Sequence, residues 1–137
     1  MGGTIRIPEE YSNSRPLQGS GYTTEMNWCV KNEQALIDEP LCNEIVDQGN
    51  CTKSGGAFAT IAAIETMYMY QSKNLVKLSE QNCLDCAYTE NEGCATAYEP
   101  TQCLDLAYTQ QISLNSTYPY EGKNETCKNK GAGPTKI

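Results

Sequence analysis

Eight cysteines in 137 residues constrain this chain more than any other feature. They are Cys29, Cys42, Cys51, Cys83, Cys86, Cys94, Cys103 and Cys127, an even number gathered in the middle and C-terminal parts. With 39% hydrophobic residues and a single Phe, the chain has modest means for building a core. Cross-links are the usual supplement in a domain of this kind. The length suits one domain, or one half of a two-lobed enzyme. Three N-glycosylation triplets, beginning at Asn50, Asn115 and Asn124, accompany the cysteines. Together these features point to the secretory pathway, with a lysosomal, vacuolar or extracellular destination.

Other classes fall away on composition. A formal charge of −7 argues against a nucleic-acid partner, because phosphate affinity rests on Lys and Arg. No apolar run reaches the length of a membrane span. Met1-Gly2-Gly3 leads into polar sequence without a signal-peptide core, and Arg6 stands where a myristoylation motif wants Ser or Thr. The chain therefore reads as a processed or re-started piece of something longer. Its most decisive absence is histidine. No His-dependent dyad or triad, and no His-ligated metal, can be assembled from this chain.

Residues 1–27 read as an extended polar arm containing Pro8 and Pro16. A loop-like stretch follows from Trp28 to Gln48, broken by Pro40. From about Lys53 to Gln71, Ala57, Ile61, Ile64 and Tyr68 recur at helical spacing, and Phe58, Ala62 and Met69 cover a second face. A helix apolar around most of its circumference is expected to be buried in the middle of its domain. Ser79 is a credible N-cap for a second helix carrying Cys83, Leu84 and Cys86. Pro100 suits the first turn of a third helix, with Cys103, Leu104, Leu106 and Ala107. Tyr118-Pro119-Tyr120-Glu121-Gly122 then predicts a tight turn. There is no internal repeat.

Four stretches resemble the papain family of cysteine peptidases (cathepsins and their relatives), in the right order and at nearly the right spacing. They are Asp47-Gln48-Gly49-Asn50-Cys51; Ala57-Phe58 continuing to Ile64-Glu65; Leu78-Ser79-Glu80-Gln81 running to Leu84-Asp85-Cys86; and Tyr118-Pro119-Tyr120-Glu121-Gly122 ending at Cys127. Any one is weak, but the ordered set is specific. The resemblance implies an α+β papain-like fold of which this chain is the mainly α left lobe. That lobe has three helices, long disulfide-stapled loops and little strand, over residues 28–128. Residues 129–137 would begin the crossover to a β-rich right lobe, which in the family carries the catalytic His and its orienting Asn.

Family disulfides transfer as Cys51 with Cys94 and Cys86 with Cys127, each expected to contribute about 2–4 kcal/mol. Of the remaining four, position alone places Cys29 to close on Cys42 and Cys83 to staple Cys103. Cys83-Leu84-Asp85-Cys86 also reads as a C-x-x-C redox or zinc motif. No second such pair and no His completes a metal site, and no cofactor is expected.

In such enzymes a cysteine at a helix N-terminus becomes a thiolate nucleophile, aided by the helix dipole and an imidazolium. A Gln side chain and the nucleophile's own N–H hold the oxyanion. Here Gln48 stands at the oxyanion-hole position. Counted forward from Cys51, the nucleophile position is filled by Ser54. The Trp that normally follows is absent, and Gly55-Gly56 replaces it with one residue to spare. A serine hydroxyl ionises far above a thiol, and a diglycine loosens the helix start. Ser54 has a plainer reading, as the N-cap whose side chain satisfies a free backbone N–H. Gln48 likewise has one, as a side chain bonded to its own loop.

The substrate cleft departs from the family as well. The family's glycine pair after the residue matching Cys94 is replaced by Ala95-Thr96-Ala97-Tyr98, whose side chains would crowd a bound peptide. Tyr98 lies either across the groove or against the third helix. Glu65 reads as a hydrogen-bonded buried carboxyl, and Tyr118 and Tyr120 as core and turn residues. The leading expectation is a non-catalytic papain-like domain kept as a binding or structural module. The right-lobe segment, or another protein, would cover its cleft face, with a peptide as possible ligand. The alternative is an active peptidase in which Ser54 works with a His supplied by the second lobe. A third reading, a disulfide-rich inhibitor or lectin-like module, requires the four stretches to be coincidence.

Overall fold

The computed structural model describes residues 27–31, 39–87, 93–95 and 99–128. The predicted arm, Asn27 apart, and the crossover over 129–137 lie outside these residues, as do Thr96, Ala97 and Tyr98. Three helices follow in order: α1 (Gly55–Ser72), α2 (Glu80–Cys86) and α3 (Pro100–Gln110). Among the described residues the only strand-like pairing is one antiparallel bridge, between Leu78 and Leu114. The fold is mainly helical, as the family resemblance implies.

The ends of the helices follow local chemistry. Ser79 caps α2, its hydroxyl accepting from the Asn82 N–H at 2.9 Å. Pro100 opens α3, where a missing N–H is harmless. The α1 helix stops at Lys73, a non-glycine residue in the left-handed region (φ 58°) whose N–H closes on the Met69 carbonyl at 2.9 Å.

α1 packs against both α2 and α3. The core gathers Ala57, Ile61 and Ile64 of α1 with Leu78, Leu84, Leu106, Ala107 and Ile112. Cys51, Cys83 and Cys103 are fully buried within it. Cross-links therefore occupy core volume that a richer sequence would fill with Leu or Phe. The bridges are Cys29–Cys42, Cys51–Cys94, Cys83–Cys103 and Cys86–Cys127. Cys83 and Cys86 thus hold different partners, so the C-x-x-C stretch is not a dithiol.

Two expectations need correction. The first is that α1 is buried all round. Ala57, Thr60, Ile61, Ile64, Glu65 and Met69 are buried, but Ala59, Ala62, Ala63, Met67 and Tyr70 are exposed. Of the predicted second face, Met69 is buried beside Leu41 and Phe58 is half-buried against Tyr120, while Ala62 lies on an open side with Ala59, Ala63, Met67 and Tyr70. The second is the tight turn at Tyr118-Pro119-Tyr120-Glu121-Gly122. The hydrogen-bonded turn falls earlier, where the N–H groups of Thr117 and Tyr118 donate to the Leu114 carbonyl at 3.1 and 3.0 Å. Residues 118–122 close no backbone hydrogen bond among themselves, and the chain bends at Tyr118 and again at Gly122 (φ 68°) and Lys123.

The stretch from Ser113 to Glu125 is held by buried polar side chains of α2 and its cap. Ser79 donates to the Tyr118 carbonyl at 2.5 Å. Gln81 donates to the Lys123 carbonyl at 2.7 Å and accepts from the Glu121 N–H at 2.9 Å. Asn82 accepts from the Ser113 N–H at 2.9 Å. Asp85 accepts from the Tyr118 hydroxyl at 2.7 Å, from Gln81 at 2.8 Å and from the Glu125 N–H at 3.1 Å. Burial pushes the Asp85 carboxyl above its ordinary range, with those three donors pulling it back. Glu65, deep in α1, accepts from the Leu78 N–H at 2.6 Å and from Lys77 at 3.2 Å, and Lys77 also pairs with Glu80. These bonds satisfy groups that would otherwise be costly to bury.

Candidate functional site

The site is built where the loop from Asp47 to Lys53 meets the first turn of α1. Cys51, bridged to Cys94, anchors the loop to the residues leading toward α3. Gly49 takes a positive φ of 60°, and its N–H donates to the Asp47 carboxylate at 2.8 Å, which folds the loop back on itself. The Ser54 N–H donates to the Cys51 carbonyl at 3.1 Å, and Ala57 and Phe58 return their N–H groups to the Ser54 carbonyl.

Ser54 lies immediately before α1, but its side chain does not cap the helix. Its hydroxyl donates backward to the Cys51 carbonyl at 2.6 Å. The residue is 0% exposed. The expectation of a side-chain N-cap is corrected here: with ψ near 0° rather than extended, Ser54 directs its hydroxyl into the loop and not over the helix end.

Gln48, half-buried, donates from Nε2 to the Thr52 carbonyl at 3.3 Å, the loop-internal contact of its plainer reading. The Gln48 amide, and the Ser54 N–H that a nucleophile at residue 54 would offer, both point at carbonyls of their own loop. Gly55 and Gly56 are partly exposed at the helix start, and Ala95 is exposed beside Cys94. The Cys94 N–H donates to the Asn124 side-chain oxygen at 2.8 Å. Asn50 lies exposed in the loop, and Asn115 is half-buried in the turn after the Leu78–Leu114 bridge.

Tyr120, expected as a core or turn residue, belongs to this site. Its hydroxyl donates to the Gln48 carbonyl at 2.6 Å. Its ring meets Phe58 edge-on at 5.1 Å. Burial pushes its phenol above the ordinary value, with a hydrogen bond to Ser54 acting the other way. Tyr120 therefore lies over Ser54 as a neutral phenol, not as a base. A clue was present in the sequence: along an extended run, Tyr118 and Tyr120 alternate with the proline between them. Nothing in the sequence says which residues they meet. No group of His, Cys, Asp and Glu suited to a metal occurs among the described residues.

A helix N-terminus behind a disulfide-anchored Gln-Gly loop, on a three-helix lobe, is the arrangement found in one class of peptidase. Residues 24–136 match the sequence profile described as papain family cysteine protease, and the chain belongs to that family. Cathepsin K of Mus musculus is 32% identical over 123 residues, covering 90% of this chain and 36% of that protein. The KDEL-tailed cysteine endopeptidase CEP2 of Arabidopsis thaliana is 37% identical over 84 residues, covering 61% of this chain and 23% of that protein. Among solved structures, the Carica candamarcensis cysteine protease CMS1MS2 matches with a TM-score of 0.62 at 31% identity, covering 70% of this chain and 44% of that one. The chain thus spans less than half the length of each of these relatives.

Proposed function

We propose that this chain is a papain-family domain that does not carry out peptide hydrolysis and serves as a binding or structural module. The observation that carries this reading is the state of Ser54, fully buried with its hydroxyl given to the Cys51 carbonyl. A nucleophile must reach a carbonyl carbon and pass its proton to a base. This hydroxyl faces a backbone carbonyl and a neutral phenol, neither of which can receive its proton. The Gln48 amide is turned to Thr52, which supports the same reading. So does the crowding expected from Ala95 and its neighbours where the family carries glycines.

The open face of α1, with Ala59, Ala62, Ala63, Met67 and Tyr70, is the natural seat for the β-rich second lobe of the fold or for a protein partner. Four disulfides and three sequons support an oxidising, secretory-route environment. The natural protein, incubated with fluorogenic peptides and a thiol-directed activity probe, is expected to give neither turnover nor label. Peptide cleavage that Ser54→Ala abolishes would overturn the proposal.

A further inference from the structure

Counted forward from Cys51 with the family spacing, the nucleophile position is residue 54. Counted back from Ala57-Phe58, with the family's Trp directly before that Ala and its nucleophile directly before the Trp, the position is residue 55. One extra residue separates the two anchors, and the geometry of the helix start decides on which side of the nucleophile it falls.

We propose that Gly55, not Ser54, stands at the nucleophile's position, so that this domain presents no side chain at all where the family presents a thiol. The inference rests on the reading of the chain as a non-hydrolytic papain-family domain, and deepens it. Three observations carry it. First, α1 begins at Gly55, the helix N-terminus at which the family's nucleophile belongs. Second, Ser54 continues the buried stripe of α1: residues 54, 57, 61 and 64 repeat at three- and four-residue spacing and are all buried, as a core-facing row must be. Its side chain turns toward the Cys51 carbonyl and lies beside Tyr120. Third, a β-carbon built on Gly55 would meet no atom within 4 Å. The next position along the helix thus faces open space, as a reacting side chain must.

With Ala57 buried and Phe58 packed on Tyr120, the helical side of the motif is in register. The extra residue is therefore taken up in the Thr52-Lys53 turn between the disulfide and the helix. The lost nucleophile is then a Cys-to-Gly replacement in effect, and Ser54 is a packing residue whose hydroxyl locks that turn. Restoring chemistry at residue 54 would be futile on this account, because that side chain faces inward.

The test places a reporter thiol at each position. Gly55→Cys and Ser54→Cys are made in the full chain, oxidised, and checked by non-reducing peptide mapping for the four native bridges. Each is then alkylated with iodoacetamide as a function of pH. The Gly55→Cys thiol is expected to react at least ~10-fold faster than the Ser54→Cys thiol, with an apparent pKa below the free-thiol value of about 8.5 because it stands exposed in the first turn, at the positive end of the helix dipole. Equal rates, or a faster Ser54→Cys, would overturn the assignment.

If Ser54→Cys scrambles its bridges, Gly55→Met and Ser54→Met decide by melting temperature. A side chain entering open space should leave Tm within about 2 °C, whereas one forced into the core should lower it by about 5 °C or more. Equal losses would refute the assignment. Peptide turnover by the unaltered protein would overturn the proposed function and leave the alkylation ratio as it is, so the two failures are separable.

Discussion

Around α2, buried polar side chains reach far along the chain. Ser79, Gln81, Asn82 and Asp85 bond to groups 31 to 42 residues away. At the start of α1 the polar side chains stay at home. Ser54 bonds three residues back, Gln48 four residues forward, and Asp47 to an N–H two residues on. The first arrangement specifies a tertiary structure, because each bond exists only when distant segments meet. The second specifies no more than a loop. Long-range specification of the fold is therefore concentrated in the α2 clamp, while the end of α1 where peptidase chemistry would occur is held by local contacts. Tyr120 joins the two regions, with its hydroxyl on the Gln48 carbonyl 72 residues away.

The contrast can be broken at its strong end first. Asp85→Ala would leave the Tyr118 hydroxyl, the Gln81 amide and the Glu125 N–H without their acceptor. Each orphaned buried group costs about 1–3 kcal/mol, so a loss of about 4 kcal/mol is expected in denaturant unfolding. A loss under 1 kcal/mol would mean that the clamp is incidental.

Asp85 also sharpens the comparison through pH. A carboxyl whose folded-state pKa is raised above its unfolded value near 3.8 holds its proton more tightly when folded. Its favourable contribution is therefore fullest below that unfolded value and declines as pH rises through the raised one. Asp85→Asn removes this dependence. The stability of the unaltered protein relative to Asp85→Asn should then shrink as pH rises above the unfolded value near 3.8. A gap that widens over that range would reverse the sign assigned to Asp85.

The smallest effect is expected at the other end of the molecule. Ser54→Ala removes one local hydrogen bond and leaves a carbonyl that still accepts from a backbone N–H, so about 1 kcal/mol is expected. If calorimetry gave a loss as large as that of Asp85→Ala, the two regions would not differ as described.

The fold was legible in the sequence because its determinants are short and ordered. Ser79 before Gln81 and Asp85, Pro100 before Cys103, and Cys51 behind a Gln-Gly loop each mark an element or a loop by local chemistry. The bridges Cys51–Cys94 and Cys86–Cys127 that the resemblance implied are present in the structure. The one-sided exposure of α1 was not legible, since periodicity reports which faces are apolar and not whether a neighbour covers them. Nor was the turn at Leu114. Tyr118-Pro119 carries turn-forming residues, but Ser79 and Asp85 bond to Tyr118 from 39 and 33 residues away, and such long-range contacts leave no mark in local sequence. The site was half legible. Gln48 could be placed by the Gln-Gly-Asn-Cys run, but the diglycine made the register ambiguous, and only burial distinguishes residue 54 from residue 55.

The bridges have a consequence for how the molecule comes apart. Cys51–Cys94, Cys83–Cys103 and Cys86–Cys127 overlap in sequence, so each begins before the previous one has closed. Any single backbone cut between Cys51 and Cys127 therefore leaves both fragments tied covalently. Cys29–Cys42 closes on its own. Between the first bridge and the last, only the stretch from Cys42 to Cys51 lies under no bridge, and it displays Ile45 and Val46 at the surface. One nick there would shed everything N-terminal to it, and a nick anywhere in the helical body would go unseen until reductant is added.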